Sequence, residues 1–291
     1  MNASPSSQTD PGGITTASET ILPVQPSSTR PGDRIWIWIL GAAILLLLTA
    51  WLWLTPAGFW GKLPAIGYAV CHQREEHSFF LHGHQFPLCA RCTGMYLGVL
   101  LSLGFQFLQG RKGKFPPIGV LIILALLFLG FIVDGTNSLL QQLPDAKELY
   151  QPQNWLRLLT GMGAGICIGA VLTPIVNQTL WADWEPVSSL NTWPKTAALL
   201  FLAGMLTLGI LSGVSWLRYL AAVLSGLGVF VLLSLIYTLL AVIILKRENL
   251  YHHWRELLLP ALLGIFTAIV QISLTDLLRF LITGTWGALS L

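Results

Sequence analysis

Charge is what this chain has least of: 16 Lys and Arg with 13 Asp and Glu among 291 residues, or 10%, against roughly 25% in soluble domains. That scarcity excludes an ordinary water-soluble globule. A net charge of +3, spread over several loops with no basic arm or stripe, excludes a nucleic-acid surface. A phosphate-cradling glycine loop, a nucleophile elbow and an H-E-x-x-H word are also missing. No internal repeat of the inverted-repeat transporter kind is visible. A cleavable secretory leader needs an early basic start and apolar stretch, whereas here the first basic residue is Arg30 and the first apolar run begins at Ile35, which predicts a retained anchor.

What the chain does have is apolar length. Hydrophobic residues make up 54% of it, and the few charges cluster between long uncharged runs. About 20 helical residues cross a hydrocarbon core of about 30 Å. Residues 35–54, 115–133, 158–182, 196–217, 219–245 and 257–275 meet that length, and 93–110 joins them if its helix starts near Leu88 with Arg91 at its mouth. The expected fold is therefore all-α, a polytopic transmembrane helical bundle of about seven spans over residues 34–291, surrounded by membrane lipid. Six or eight spans are the alternatives if residues 56–70, broken by Lys62 and Pro64, are re-entrant. Residues 1–33, rich in Ser, Thr, Pro and Gly, are expected to form a disordered tail.

Orientation follows from basic residues in short loops. Arg30 and Arg34, then Arg111, Lys112 and Lys114, then Lys246, Arg247 and Arg255 fall on one side if seven spans alternate. That side is expected to be cytoplasmic, N-terminus inside, in a bacterial plasma membrane. Trp36, Trp51, Trp155, Trp181, Trp216 and Trp286 lie near span ends, where an amphipathic ring suits the interface.

Reactive residues concentrate in one place. Three of the four cysteines and four of the six histidines fall between Cys71 and Cys92, on the expected outer face. Cys89-x-x-Cys92 at a helix start can offer two thiolates to one Zn²⁺, with Cys71 and a histidine, His72 or His84, completing a tetrahedron. The same residues can exchange disulfides, with Cys71 as partner to the Cys89/Cys92 pair, since a helix N-terminus and Arg91 lower a thiol pKa. A structural disulfide with a spare thiol, or a small transporter or assembly factor in which Asp134 and Arg157 line a passage, are the other readings. Cys167, alone among apolar residues, reads as packing, and the loop pair His252-His253 as unremarkable.

The run CHQREEHSFF from Cys71 and GHQFPLCARCTGMYLG from Gly83 resemble an integral membrane family, domain of unknown function 2085. The match extends to Asp134-Gly135-Thr136-Asn137 and to the stretch from Asn154 to Gly161, so it covers roughly residues 64–169. The resemblance implies a membrane location and site candidates at Cys71, His72, Gln73, Cys89, Arg91, Cys92, Asp134, Asn154 and Arg157. His77, His82 and His84 match no word of it, and residues beyond about 180 are read from hydropathy alone.

Asp134, Asn154 and Arg157 should meet at the same outer mouth, since ionisable groups at that depth are costly unless paired or wet. Asp134 is expected to pair with Arg157, with Asn154 one turn away on the same face. Gly94, Gly98 and Ser102 form one small-residue stripe and Gly161, Gly165 and Gly169 another. If these stripes pack together, Arg91 and Arg157 approach one pocket with Asp134 between them, suited to a small anionic or amphiphilic ligand. In a catalytic reading, Asp134, Arg157, Asn154 and Arg91 are the working residues. Asp276 and Arg279, three apart, read as a second inter-helix lock.

Overall fold

A computed structural model describes residues 30, 32–141, 143, 147 and 149–286. Most of the expected N-terminal tail lies outside these residues, but Asp33 already opens the first helix. These residues hold eight α-helices: α1 (Asp33–Leu54), α2 (Phe59–Tyr68), α3 (Ala90–Phe107), α4 (Ile118–Leu140), α5 (Asn154–Leu180), α6 (Trp193–Leu211), α7 (Ser215–Ile244) and α8 (Leu258–Thr283). Among the described residues the only sheet is a two-strand hairpin, β1 (Phe80–Leu81) with β2 (His84–Gln85). The protein is an all-α polytopic helical bundle.

Among the described residues six helices are long and apolar enough to cross a bilayer: α1, α4, α5, α6, α7, and α8 with its preceding 3-10 turn. They match the six uncharged runs of the sequence. The expected seventh span is α3, an 18-residue helix that carries Arg91 in its first turn and lies along α5. At ten residues, or about 15 Å of rise, α2 is too short to cross.

Contacts at the helix ends fix the alternation. At one end Asp33, opening α1, meets Arg247 just beyond α7 in a two-pronged ion pair of 2.7 and 2.9 Å. There too the α5–α6 loop is tied to the α3–α4 loop by Gly113 N–H to Glu185 O, 2.9 Å, and to the α7–α8 loop by Ala182 N–H to Tyr251 O, 3.0 Å. This end gathers Arg30, Arg34, Arg111, Lys112, Lys114, Lys195, Lys246, Arg247 and Arg255, and is called the basic end here. At the opposite, motif end lie α2, the Cys/His loop and the N-terminus of α3. Trp51 of α1 donates to Asp276 of α8 there at 2.9 Å.

Burial shows which helix is central. Sixteen residues of α5 are buried, Gly161, Ala164, Gly165, Ile166 and Ala170 among them, and it packs against α3, α4, α6 and α7. On the periphery, Trp38 and Leu46 of α1, Ile118 and Leu126 of α4, Phe201 and Leu208 of α6 and Leu281 and Ile282 of α8 are exposed. In water such contiguous apolar faces would be strongly unfavourable; against lipid chains they are the matching surface.

The helix boundaries differ instructively from the uncharged runs. α4 runs seven residues past Val133, through Asp134, and α8 continues through Asp276 and Arg279 to Thr283. In each case the polar group faces protein and is hydrogen-bonded, so the helix has no reason to stop at it.

Candidate metal centre

The Cys/His loop is held by backbone contacts that explain its Cys-His-Gln start. Gly67 of α2 lies so close to the Pro87 carbonyl that any Cβ there would collide with it. Gln73 is buried with φ +53° and donates its amide to Pro64 O and Pro87 O, both at 2.7 Å, clamping the two limbs of the loop together. Gln85 returns to Gln73 O at 2.7 Å and to Ser78 Oγ at 2.9 Å. The hairpin turns on His82 and Gly83, at φ +49° and +81°, a pair of positive φ values that tight antiparallel turns require. From α8, Arg279 donates to Tyr68 O at 2.6 Å and Cys71 O at 2.5 Å, and its guanidinium lies 3.7 Å from the Tyr68 ring centroid.

These contacts deliver Cys71 to the start of α3. Cys89 is its N-cap and Cys92 lies one turn in, so the two sulfurs face the same way. The ligand atoms of Cys71, Cys89 and Cys92 all lie within 4.8 Å of one another, and all three are free thiols. Cys71 and Cys89 are buried and Cys92 partly so. The Cys71 sulfur accepts backbone N–H groups from Cys89 at 3.3 Å and Gln73 at 3.5 Å. Hydrogen bonds from Cys89, then Cys92, hold the Cys71 thiol far below the ordinary range, while the same hydrogen bond to Cys71, then burial, pushes Cys89 up to about 12. The hydrogen bonds converging on its sulfur make Cys71 the most readily ionised of the three thiols.

Among the described residues no histidine joins the sulfur group, although His72 or His84 was the expected fourth ligand. His72 Nε2 lies 3.2 Å from Nδ1 of buried His77. Burial first, then the nearby Arg157 charge, lower the His77 pKa to about 4, so it is neutral at physiological pH. His84 is carried away from the sulfurs by the hairpin and stacks on Trp60, centroids 4.9 Å apart and 4° from parallel.

The carboxylate beside the triad has a different partner from the expected one. Asp134 pairs with Arg91, not with Arg157: Arg91 Nε donates to its Oδ2 at 2.8 Å, and Nη2 reaches the same oxygen, the Asp134 carbonyl at 3.0 Å and Ser138 Oγ at 2.7 Å. Tyr150 donates to Oδ1 at 2.9 Å and Thr160 to Oδ2 at 3.3 Å. The Arg91 guanidinium thus takes Oδ2 and the Tyr150 hydroxyl takes Oδ1. Arg157 instead donates to Asn154 Oδ1 at 3.0 Å, one turn earlier as the spacing predicts, and Asn154 reaches Glu76 O at 3.2 Å. The expected i, i+3 lock of Asp276 and Arg279 is likewise divided, Asp276 taking Trp51 and Arg279 the Cys71 turn.

The two glycine stripes do pack together. A Cβ on Gly94 or Gly98 would strike the backbone of Leu158 or Met162, and one on Gly161 or Gly165 would strike Arg91 or Met95. Ser102 closes the stripe by donating to Ile166 O at 3.1 Å. This near-contact of backbones aligns the first turn of α3 with the first turn of α5, so sulfurs, Arg91 and Arg157 share one mouth.

Sequence reasoning did not anticipate Tyr150 and Thr160 on Asp134, the Gln73 clamp, or Arg279 on the Cys71 turn. Gln73 stood within the resembling words, and Arg279 was conspicuous as a cation inside an apolar run. Tyr150 carried no signal in the sequence.

Bundle and lipid-facing surface define a multi-pass integral membrane protein. Residues 71–171 match the family model described as predicted membrane protein (DUF2085). An uncharacterized protein of Methanocaldococcus jannaschii is 32% identical over 134 residues, 44% of this chain and 80% of that one. Another, from Methanothermobacter thermautotrophicus, is 36% identical over 111 residues, 38% of this chain and 90% of its own length. The chain belongs to this DUF2085 family. No solved structure matches it.

Proposed function

We propose that this protein is an integral membrane metal protein whose Cys71, Cys89 and Cys92 thiolates hold one Zn²⁺ at the extracytoplasmic mouth of the bundle. The observation that carries the reading is the mutual approach of three sulfurs drawn from two segments 18 residues apart, within 4.8 Å. Backbone N–H groups already aimed at the Cys71 sulfur favour its thiolate form. Soft thiolates in a tetrahedral arrangement suit zinc. We assign the fourth ligand to His72, the chain neighbour of Cys71, in preference to His84, which stacks on Trp60; His72 turns its Nε2 from His77 to the metal. Arg91 and Asp134 brace the α3 end of this mouth, and Asn154 with Arg157 braces the loop against α5. The setting is a prokaryotic plasma membrane, and the relatives above come from archaea.

Elemental analysis of protein purified in detergent under reductant tests the assignment. The wild type should carry one zinc per chain, Cys89→Ser/Cys92→Ser none, and His84→Ala the wild-type amount. Metal-free wild type overturns the reading. If its thiols then titrate as one disulfide and one free thiol at this mouth, the thiol–disulfide alternative takes its place, for which the backbone N–H groups aimed at the Cys71 sulfur are the supporting feature.

A further inference from the structure

Beside the sulfur centre the mouth opens into a second cavity of about 650 Å³, between the Cys/His loop, the end of α4 and the start of α5. Its polar wall is Arg74, Glu76, His77 and Arg157; Leu139 and Pro152 belong to the apolar wall. The geometry points to a binding site for a phosphate oxyanion in this cavity, with the Arg157 guanidinium as its principal recognition group.

Three observations support it. Arg157 is 4% exposed, yet its Nε has no hydrogen-bond partner, and the bond given by Nη1 goes to a neutral amide. A buried guanidinium with an unmet donor is unfavourable unless something accepts from it. Second, the Asp134 carboxylate is paired with Arg91 and not with Arg157. With Arg74 paired to Glu76 and Arg91 to Asp134, the Arg157 charge is left without an ion-pair partner among the described residues. Third, Arg74 stands at the rim in a 3.2 Å pair with Glu76, whose side chain is 67% exposed. Such a surface pair is weak enough to open, leaving a second guanidinium for an incoming anion.

The cavity lies in the range usual for small-ligand sites, ample for a phosphate ester and far larger than a bare ion needs. Its apolar wall sits where α4 leaves the membrane, so the oxyanion can arrive free in solution or as the headgroup of a lipid. The site does not depend on metal in the sulfur centre.

Titration of the full-length protein separates the sources. Inorganic phosphate is added to detergent-purified protein, and phosphatidylglycerol is compared with phosphatidylcholine in nanodiscs, each with zinc-loaded and with chelated protein. Saturable binding of phosphate, or selective binding of phosphatidylglycerol, is expected and names the source. Arg157→Gln should weaken it at least about tenfold and Arg74→Gln by less, because the buried group makes the stronger charge-assisted bonds. Arg74→Gln guards against a fold defect in the buried variant, with unchanged melting of each variant as control. Wild type that binds neither probe better than Arg157→Gln overturns the inference, whatever its zinc content.

Discussion

Arg91 illustrates how one side chain can organise a membrane mouth. It sits in the first turn of α3 between Cys89 and Cys92 and crosses to α4, so any movement of Asp134 is felt at the sulfurs. Removing one partner of a buried, hydrogen-bonded ion pair leaves the other charge uncompensated, at roughly 3–5 kcal/mol. Arg91→Met should therefore destabilise the protein by that order, and the double variant Arg91→Met/Asp134→Leu should recover much of the loss. Thermal unfolding in detergent checks this; a double variant as unstable as the sum of the singles would show that the pair is not the coupling. At this scale the residue types were legible, because Cys, Arg and Asp in an apolar sequence have few bland explanations. Partnerships were not. Whether Asp134 takes Arg91 or Arg157 depends on side-chain reach across helices and on Tyr150 and Thr160 filling its oxygens, which spacing along one chain does not encode.

Among the elements, α3 and α5 form the tightest unit because glycine lets their backbones touch. An added methyl at Gly161 would have to displace the Arg91 carbonyl, and overpacking of that kind costs about 1–3 kcal/mol. Gly161→Ala should lower the unfolding midpoint and disturb the thiol cluster beneath it, whereas Gly204→Ala in α6, with open space around it, should be neutral or slightly stabilising. Equal effects at the two positions would contradict the packing account. Helices and stripes were readable from hydropathy and spacing, since both are local patterns of period about 3.6. The hairpin was not: its two-residue strands are too short for any alternation, and its turn sends His84 to Trp60 instead of to the sulfurs. Element ends at Asp134 and Arg279 were misjudged for the same reason as the pairing, because a charge breaks a span only if nothing neutralises it.

For the whole molecule, the asymmetry of its two ends is the governing feature. The basic end gathers nine Lys and Arg, whereas at the motif end four cations turn inward, Lys62 to Thr55, Arg91 to Asp134, Arg218 to Ile210 O and Arg279 to the Cys71 turn, and only Arg74 and Lys147 stand at its surface among the described residues. Free positive charge is retained on the cytoplasmic side of a membrane protein, so the sulfur centre is expected to face outward. A membrane-impermeant maleimide applied to intact cells should label Glu75→Cys above the wild-type background and leave Asn191→Cys unlabelled until the membrane is opened. The reverse pattern would place the centre in the cytoplasm.

The central claim, three sulfurs from two segments converging on one metal, is tested most directly by X-ray absorption at the zinc edge of protein purified under reductant. The account predicts a shell of three sulfur atoms at about 2.3 Å with one nitrogen at about 2.0–2.1 Å. A shell of nitrogen and oxygen alone, or no zinc absorption at all, would contradict it.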